Sequence, residues 1–146
     1  MSSFKTITVI MTMTALIFTA SSCNRQTTVE LAGNKLNVDV ADNKAEQTQG
    51  LSGRFFLTDQ EGMLFLFSQK DIRSFWMKDM QFPIDIVWID ENTVVDISPN
   101  VQPQPGLPSD QLARYAPSQP IDKVLELAAG WSARHGLKIG DRLIVH

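Results

Sequence analysis

Hydrophobic and polar positions alternate along much of the chain after residue 28, which predicts a succession of short β-strands. In the clearest case, residues 36, 38 and 40 are apolar and alternate with Asn37 and Asp39, as in a strand with one buried face. The run 63–67 is continuously apolar, which indicates a strand covered on both faces. Six further segments have strand character: 28–31, 74–78, 84–89, 93–98, 123–128 and 142–145.

Two short segments have helical character. In 42–49, Asn43 and Glu46 have the spacing of a capping box, and Gly50 suits a helix C-terminus. The second segment, 130–135, stops at Gly136. We therefore predict an α+β, mainly β fold: a small antiparallel barrel or sandwich of about eight strands with two short helices.

The stretch 99–120 lacks any periodicity and contains six of the seven prolines. A segment of this length without regular structure is uncommon in a compact domain and is often functional. We therefore expect this proline-rich loop, which includes Tyr115, to border any functional site.

The first 23 residues differ from the rest of the chain. Lys5 precedes an uncharged run, 7–20, which as a helix reaches about 21 Å and is short for a bilayer core of about 30 Å. This pattern is typical of a signal peptide. The sequence Ala20-Ser21-Ser22-Cys23 resembles a bacterial lipobox, in which the cysteine is lipidated and becomes the new N-terminus. A cleaved signal peptide with an incidental cysteine, or an uncleaved anchor, is the alternative.

These features predict three regions: a signal peptide at 1–22, lipidated Cys23 with a short tether at 23–27, and a single β-rich domain at 28–146. The expected location is the bacterial cell envelope, with the lipid in the membrane. The lipoprotein sorting rule retains proteins with Asp after the cysteine in the inner membrane. Asn24 therefore favours the outer membrane, with the domain facing the periplasm.

Composition narrows the function further. One cysteine and two histidines among 146 residues leave no internal disulfide and argue against a Cys/His zinc site. The formal net charge of −3 provides no basic surface for nucleic acid. We predict no metal, no cofactor and no nucleic-acid partner.

A series of short motifs follows in order along the chain: Gly50-Leu51 with Arg54, the run 62–67, Ser74-Phe75-Trp76-Met77-Lys78, Pro83-Ile84-Asp85-Ile86, Ile89-Asp90, Tyr115, Leu125-Glu126, Ala129-Gly130 and Gly140-Asp141. Together they resemble domain of unknown function 192, over about residues 28–146. The resemblance implies a compact, β-rich, often exported domain and implies no established reaction. The chain departs from the family pattern at Ser52 and Gly53, where Met and an aromatic residue are usual.

Two acidic residues stand out within these motifs. Strand alternation places Asp85 and Glu126 each on a face with apolar neighbours, and buried acids need partners. Arg54 and Lys78 are the candidate partners, and Tyr115 adds a hydroxyl. These residues form either structural ion pairs and hydrogen bonds to loop backbone, or a polar pocket that also includes Trp76.

A pocket of this composition suits a carboxylate, a phosphate or a sugar, because Arg54 and Lys78 would bind anionic groups and Trp76 offers a flat face. The leading hypothesis is a non-catalytic domain that binds a small sugar or anion, or an envelope protein. One alternative is an envelope hydrolase with Asp85 and Glu126 as acid and base. The other is a structural accessory subunit of an envelope complex.

Overall fold

Residues 25–146, the part of the chain that this computed structural model describes, form seven strands and two helices. Residues 1–24 lie outside the described residues, and with them the predicted signal peptide and Cys23. The strands are β1 Gln26–Leu31, β2 Asn34–Ala41, β3 Glu61–Asp71, β4 Ile84–Asp90, β5 Thr93–Val101, β6 Ile121–Ala128 and β7 Ile144–Val145. The helices are α1 Lys44–Gln49 and α2 Trp131–Arg134.

All seven strands belong to one curled sheet, with the order β5-β4-β6-β3-β2-β1-β7. Every pair is antiparallel except β2 and β3, which run parallel because α1 and residues 50–60 cross over between them. The sheet curls until Arg142, just before β7, forms a bridge with Thr93 at the start of β5. The predicted class, mainly β with two short helices, is confirmed.

Two details of the sequence prediction are corrected. The sheet has seven strands among the described residues rather than eight, because 74–78 is not a strand. This segment makes a single bridge, in which Phe75 and Tyr115 exchange backbone hydrogen bonds of 2.8 and 2.9 Å. Phe75 thereby pairs with the proline-rich loop instead of the sheet, and the loop itself begins only after Val101.

Both faces of the sheet are buried, which explains the continuous apolar run in β3. Cross-strand neighbours share a face, so the register divides the core in two. The inner face, enclosed by the curl, includes Leu36, Val38, Leu64, Val87, Leu125 and Leu127. The outer face includes Met63, Phe65, Ile86, Trp88 and Val124 and is covered by Leu51, Leu57 and Met77.

Local capping fixes α1 as the sequence predicted. The Asn43 side chain accepts a hydrogen bond from the backbone N–H of Glu46 at 3.1 Å, and Glu46 Oε2 accepts one from the N–H of Asp42 at 3.2 Å. Gly50 ends the helix at a φ of 51°, a conformation that favours glycine. Within residues 25–146, no helix is both long and apolar enough to cross a membrane.

Candidate functional site

A row of side chains crosses the outer face of the sheet at one level. The register pairs Gln26 with Asp39, Asp39 with Met63, Met63 with Glu126 and Glu126 with Ile86. Directly paired residues project to the same side of a sheet. Asp39 and Glu126 therefore share the outer face, with their backbones two strand spacings, or about 10 Å, apart.

Glu126 is the most unusual side chain of this row. The residue is 6% exposed, and its Oε2 atom has no hydrogen-bond partner among the described residues. Burial raises the pKa of Glu126 to about 8, and the nearby Arg54 guanidinium opposes this rise only in part. At neutral pH the carboxyl is therefore mostly protonated, and it can donate as well as accept a hydrogen bond.

Glu126 is one of the residues that line a small cavity. Its volume is about 30 Å³, room for about two water molecules. Its lining combines residues from the end of α1 and the following turn with aromatic side chains. The lining residues are 47–52, Phe65, Phe75, Trp76, Met80 and Glu126. A residue whose carboxyl is protonated at neutral pH thus lines a cavity with both polar and apolar walls.

Arg54, whose charge acts on Glu126, is held in place by Asp39. The guanidinium forms an ion pair with Asp39 Oδ2, and Gln26 Nε2 donates to Asp39 Oδ1 at 2.9 Å. Arg54 and Asp39 also line a separate polar cleft of about 250 Å³, which extends to Thr58 and Glu61. Since the Asp39 carboxylate neutralises Arg54, the guanidinium is not a free anion-binding group.

Asp85 lies on the opposite face of the sheet from Glu126, because Asp85 pairs with Leu127 of the inner core while Glu126 pairs with Ile86. The Asp85 side chain is fully buried. Its Oδ1 accepts backbone hydrogen bonds from Asn100 at 2.8 Å and Gly130 at 2.9 Å, and its Oδ2 accepts one from Ser132 at 2.8 Å.

These three hydrogen bonds fasten the end of β5 and the start of α2 to β4, which is a structural role. The acid pair that the hydrolase alternative requires, Asp85 with Glu126, is therefore not formed, since the sheet separates the two carboxyls. The two side chains cannot act together on one glycosidic bond.

The remaining predicted residues divide in the same way. Trp76 lines the cavity beside Glu126, and the Arg114 guanidinium stacks on the Trp76 ring at 3.9 Å from its centroid. Lys78 Nζ instead pairs with its exposed neighbour Asp79 at 2.7 Å and lines a different groove, next to the proline-rich loop. Tyr115 does not line the Glu126 cavity, but its backbone pairs with that of Phe75, which does.

The structure therefore places Glu126 and Trp76 at one cavity. Arg54 is near Glu126 but lines a separate cleft, and Asp85, Lys78 and Tyr115 lie outside the Glu126 cavity. The alternation in β2 missed Asp39, because it assigned this residue to a solvent-exposed face. The segment after α1 covers that face, and Asp39 is 7% exposed. No local pattern in β2 reveals this cover. Within residues 25–146, no group of three or more His, Cys, Asp or Glu side chains is placed to hold a metal ion.

The fold and the site define a small, mainly β domain with one curled sheet and a buried acid beside a cavity. This chain belongs to the DUF192 family, whose model, described as an uncharacterized ACR, matches residues 26–145. The family expectation is thus confirmed. No protein of curated function matches significantly.

Two solved structures resemble the chain closely. A proposed transcription regulator from Sinorhizobium meliloti 1021 is 30% identical with a TM-score of 0.76, and the match covers 84% of this chain and 95% of that one. A protein of unknown function from Novosphingobium aromaticivorans DSM 12444 is also 30% identical, with a TM-score of 0.75 and coverage of 86% and 89%.

Proposed function

We propose that this protein is a lipid-anchored domain of the cell envelope that binds a small, uncharged, polar ligand of the sugar class at the Glu126 cavity. One observation carries the binding proposal: Glu126, a buried and protonated acid whose Oε2 atom has no hydrogen-bond partner among the described residues, is one of the residues that line a cavity. Buried polar groups are nearly always satisfied, so this atom is suited to a hydrogen bond with a ligand.

The charges around the cavity favour a neutral ligand over an anion. Arg54 is already paired with Asp39, and Lys78 is paired with Asp79. Neither of these two cations would be free to balance the charge of an anionic ligand at the Glu126 carboxyl, and the Arg114 guanidinium already stacks on the Trp76 ring. A hydroxyl or acetamido group, by contrast, can both donate to and accept from a protonated carboxyl.

The size and walls of the cavity favour one arm of a sugar rather than a whole ring. A volume of about 30 Å³ fits a hydroxymethyl group, and Gln47 and Ser52 line the same cavity. Trp76 and Phe75 at the same cavity offer apolar surface to the C–H groups of a ring.

The envelope location is a separate part of the proposal. The short apolar run and the lipobox-like sequence before Cys23 support it. The Sinorhizobium relative is described as a proposed transcription regulator. We do not propose that role for this chain, because the chain's net charge of −3 gives no support for contact with nucleic acid.

Calorimetric titration of the full chain tests the binding proposal. We expect N-acetylglucosamine or glucose to give saturable heat, and acetate and phosphate to give none. Glu126→Leu keeps the side-chain size, removes the hydrogen bond and should weaken binding about tenfold or more. Lys78→Gln, outside the cavity, should bind as the wild type does. Absence of heat with every sugar, or equal binding by the Glu126→Leu chain, would refute the proposal.

A further inference from the structure

Two adjacent phenylalanines of this domain are exposed to solvent. Phe55 is 76% exposed and Phe56 is 68% exposed, whereas the next residue, Leu57, is 9% exposed and belongs to the outer core. On the other side, Arg54 is fixed by its ion pair with Asp39. The two rings thus project from a short segment whose two ends are both fastened to the sheet.

The Asp39 carboxylate also links the segment that carries Phe55 and Phe56 to the start of β1. Asp39 binds Arg54 through Oδ2 and Gln26, at the start of β1, through Oδ1. The backbone is already fastened at Arg25, whose carbonyl accepts a hydrogen bond from the N–H of Val40 at 2.7 Å. Phe55 therefore directly follows Arg54, which shares its partner Asp39 with Gln26, the first residue of β1.

Only Asn24 separates Arg25 from Cys23. Two residues of extended chain span about 7 Å, so a lipid on Cys23 would hold this end of the sheet against the headgroups. The phenylalanine pair lies at that end. Apolar aromatic side chains are suited to burial in the boundary between headgroups and acyl chains.

We propose that Phe55 and Phe56 insert into the lipid surface and fix the orientation of the domain on the membrane. This inference rests on the proposed anchoring at Cys23. A lipid on Cys23 alone would leave the domain free to tilt. A second contact, made by the Phe55 and Phe56 side chains with the lipid, restricts the domain to one orientation. The contact turns the end of the sheet at which β1 begins, near Gln26, toward the membrane.

The chain offers a clean experiment because Cys23 is its only cysteine and lipidation consumes that thiol. Phe55→Cys and Ile139→Cys each introduce one reactive thiol for an NBD fluorophore. Ile139 is 66% exposed and precedes β7, which runs antiparallel to β1, so it lies toward the far end of the sheet from Gln26. The full chain is reconstituted in vesicles of phosphatidylethanolamine and phosphatidylglycerol, and dithionite quenches fluorophores that remain in water.

We expect dithionite to react several-fold more slowly at position 55 than at position 139, with brighter emission at 55. Equal reaction at both positions, with the chain still in the vesicle fraction, would overturn the inference and leave the anchor intact. Protection at position 55 that persists in a Cys23→Ala chain without vesicles would assign the surface to a protein contact instead. A Cys23→Ala chain that still fractionates with cell membranes would refute the lipid anchor and the inference with it.

Discussion

Replacing Asp85 with Ala is expected to destabilise the domain by about 4 kcal/mol, because three buried backbone N–H groups would lose their acceptor at once. Asn100, Gly130 and Ser132 all donate to this carboxylate. A loss of this size is a large fraction of the 5–15 kcal/mol that stabilises a typical domain. Urea unfolding at neutral pH measures it.

Two further variants make this expectation specific. Asp85→Asn keeps one oxygen but turns an NH₂ group toward a donor, so we expect an intermediate loss even if the Ala chain fails to fold. Asp71 is exposed and accepts a single backbone hydrogen bond, so Asp71→Ala should cost less than about 1 kcal/mol. A similar loss for Asp85→Ala and Asp71→Ala would contradict the structural role of Asp85.

The second large effect concerns Glu126 and pH. The folded chain keeps this proton up to about pH 8, whereas the unfolded chain releases it above the ordinary value of 4.5. Rising pH therefore favours unfolding: the stability present below pH 4.5 is lost progressively until about pH 8. The slope from this group approaches 1.4 kcal/mol per pH unit between these limits.

Glu126→Gln removes the ionisation and should flatten this slope, so that the variant is more stable than the wild type at pH 8 by up to about 4 kcal/mol. Urea unfolding at several pH values between 4.5 and 8 gives the comparison. Glu91→Gln, at an exposed position, serves as the control and should retain the wild-type slope. Parallel curves for wild type and Glu126→Gln would argue that Glu126 has no raised pKa.

Local patterns in the sequence were sufficient for most of the fold. The alternation in β2, the apolar run in β3 and the Asn43–Glu46 cap each correspond to an element of the structure. The prediction failed at 74–78, where Phe75 pairs with the loop at Tyr115. Alternation shows that a segment can form a strand, but the available partner decides whether it joins the sheet.

The candidate site was harder to predict because it depends on register. Within each strand, the sequence shows which residues share a face with Asp85 or with Glu126. It does not show how the faces of the two strands correspond. The register between β6 and β4, in which Glu126 pairs with Ile86 and Asp85 with Leu127, places the two acids on opposite faces. Asp39 was missed for a similar reason, since residues distant in sequence cover its face.

A direct measurement of the Glu126 carboxyl tests the central claim, that the buried acid lining the cavity is protonated at neutral pH. The measurement is a pH titration of the glutamate side-chain carboxyl carbons by ¹³C NMR on the full chain, with Glu126→Gln to assign the resonance. We expect one glutamate to titrate near pH 8, and its signal to be absent in the variant. Titration of every glutamate near the ordinary value of 4.5 would contradict the account.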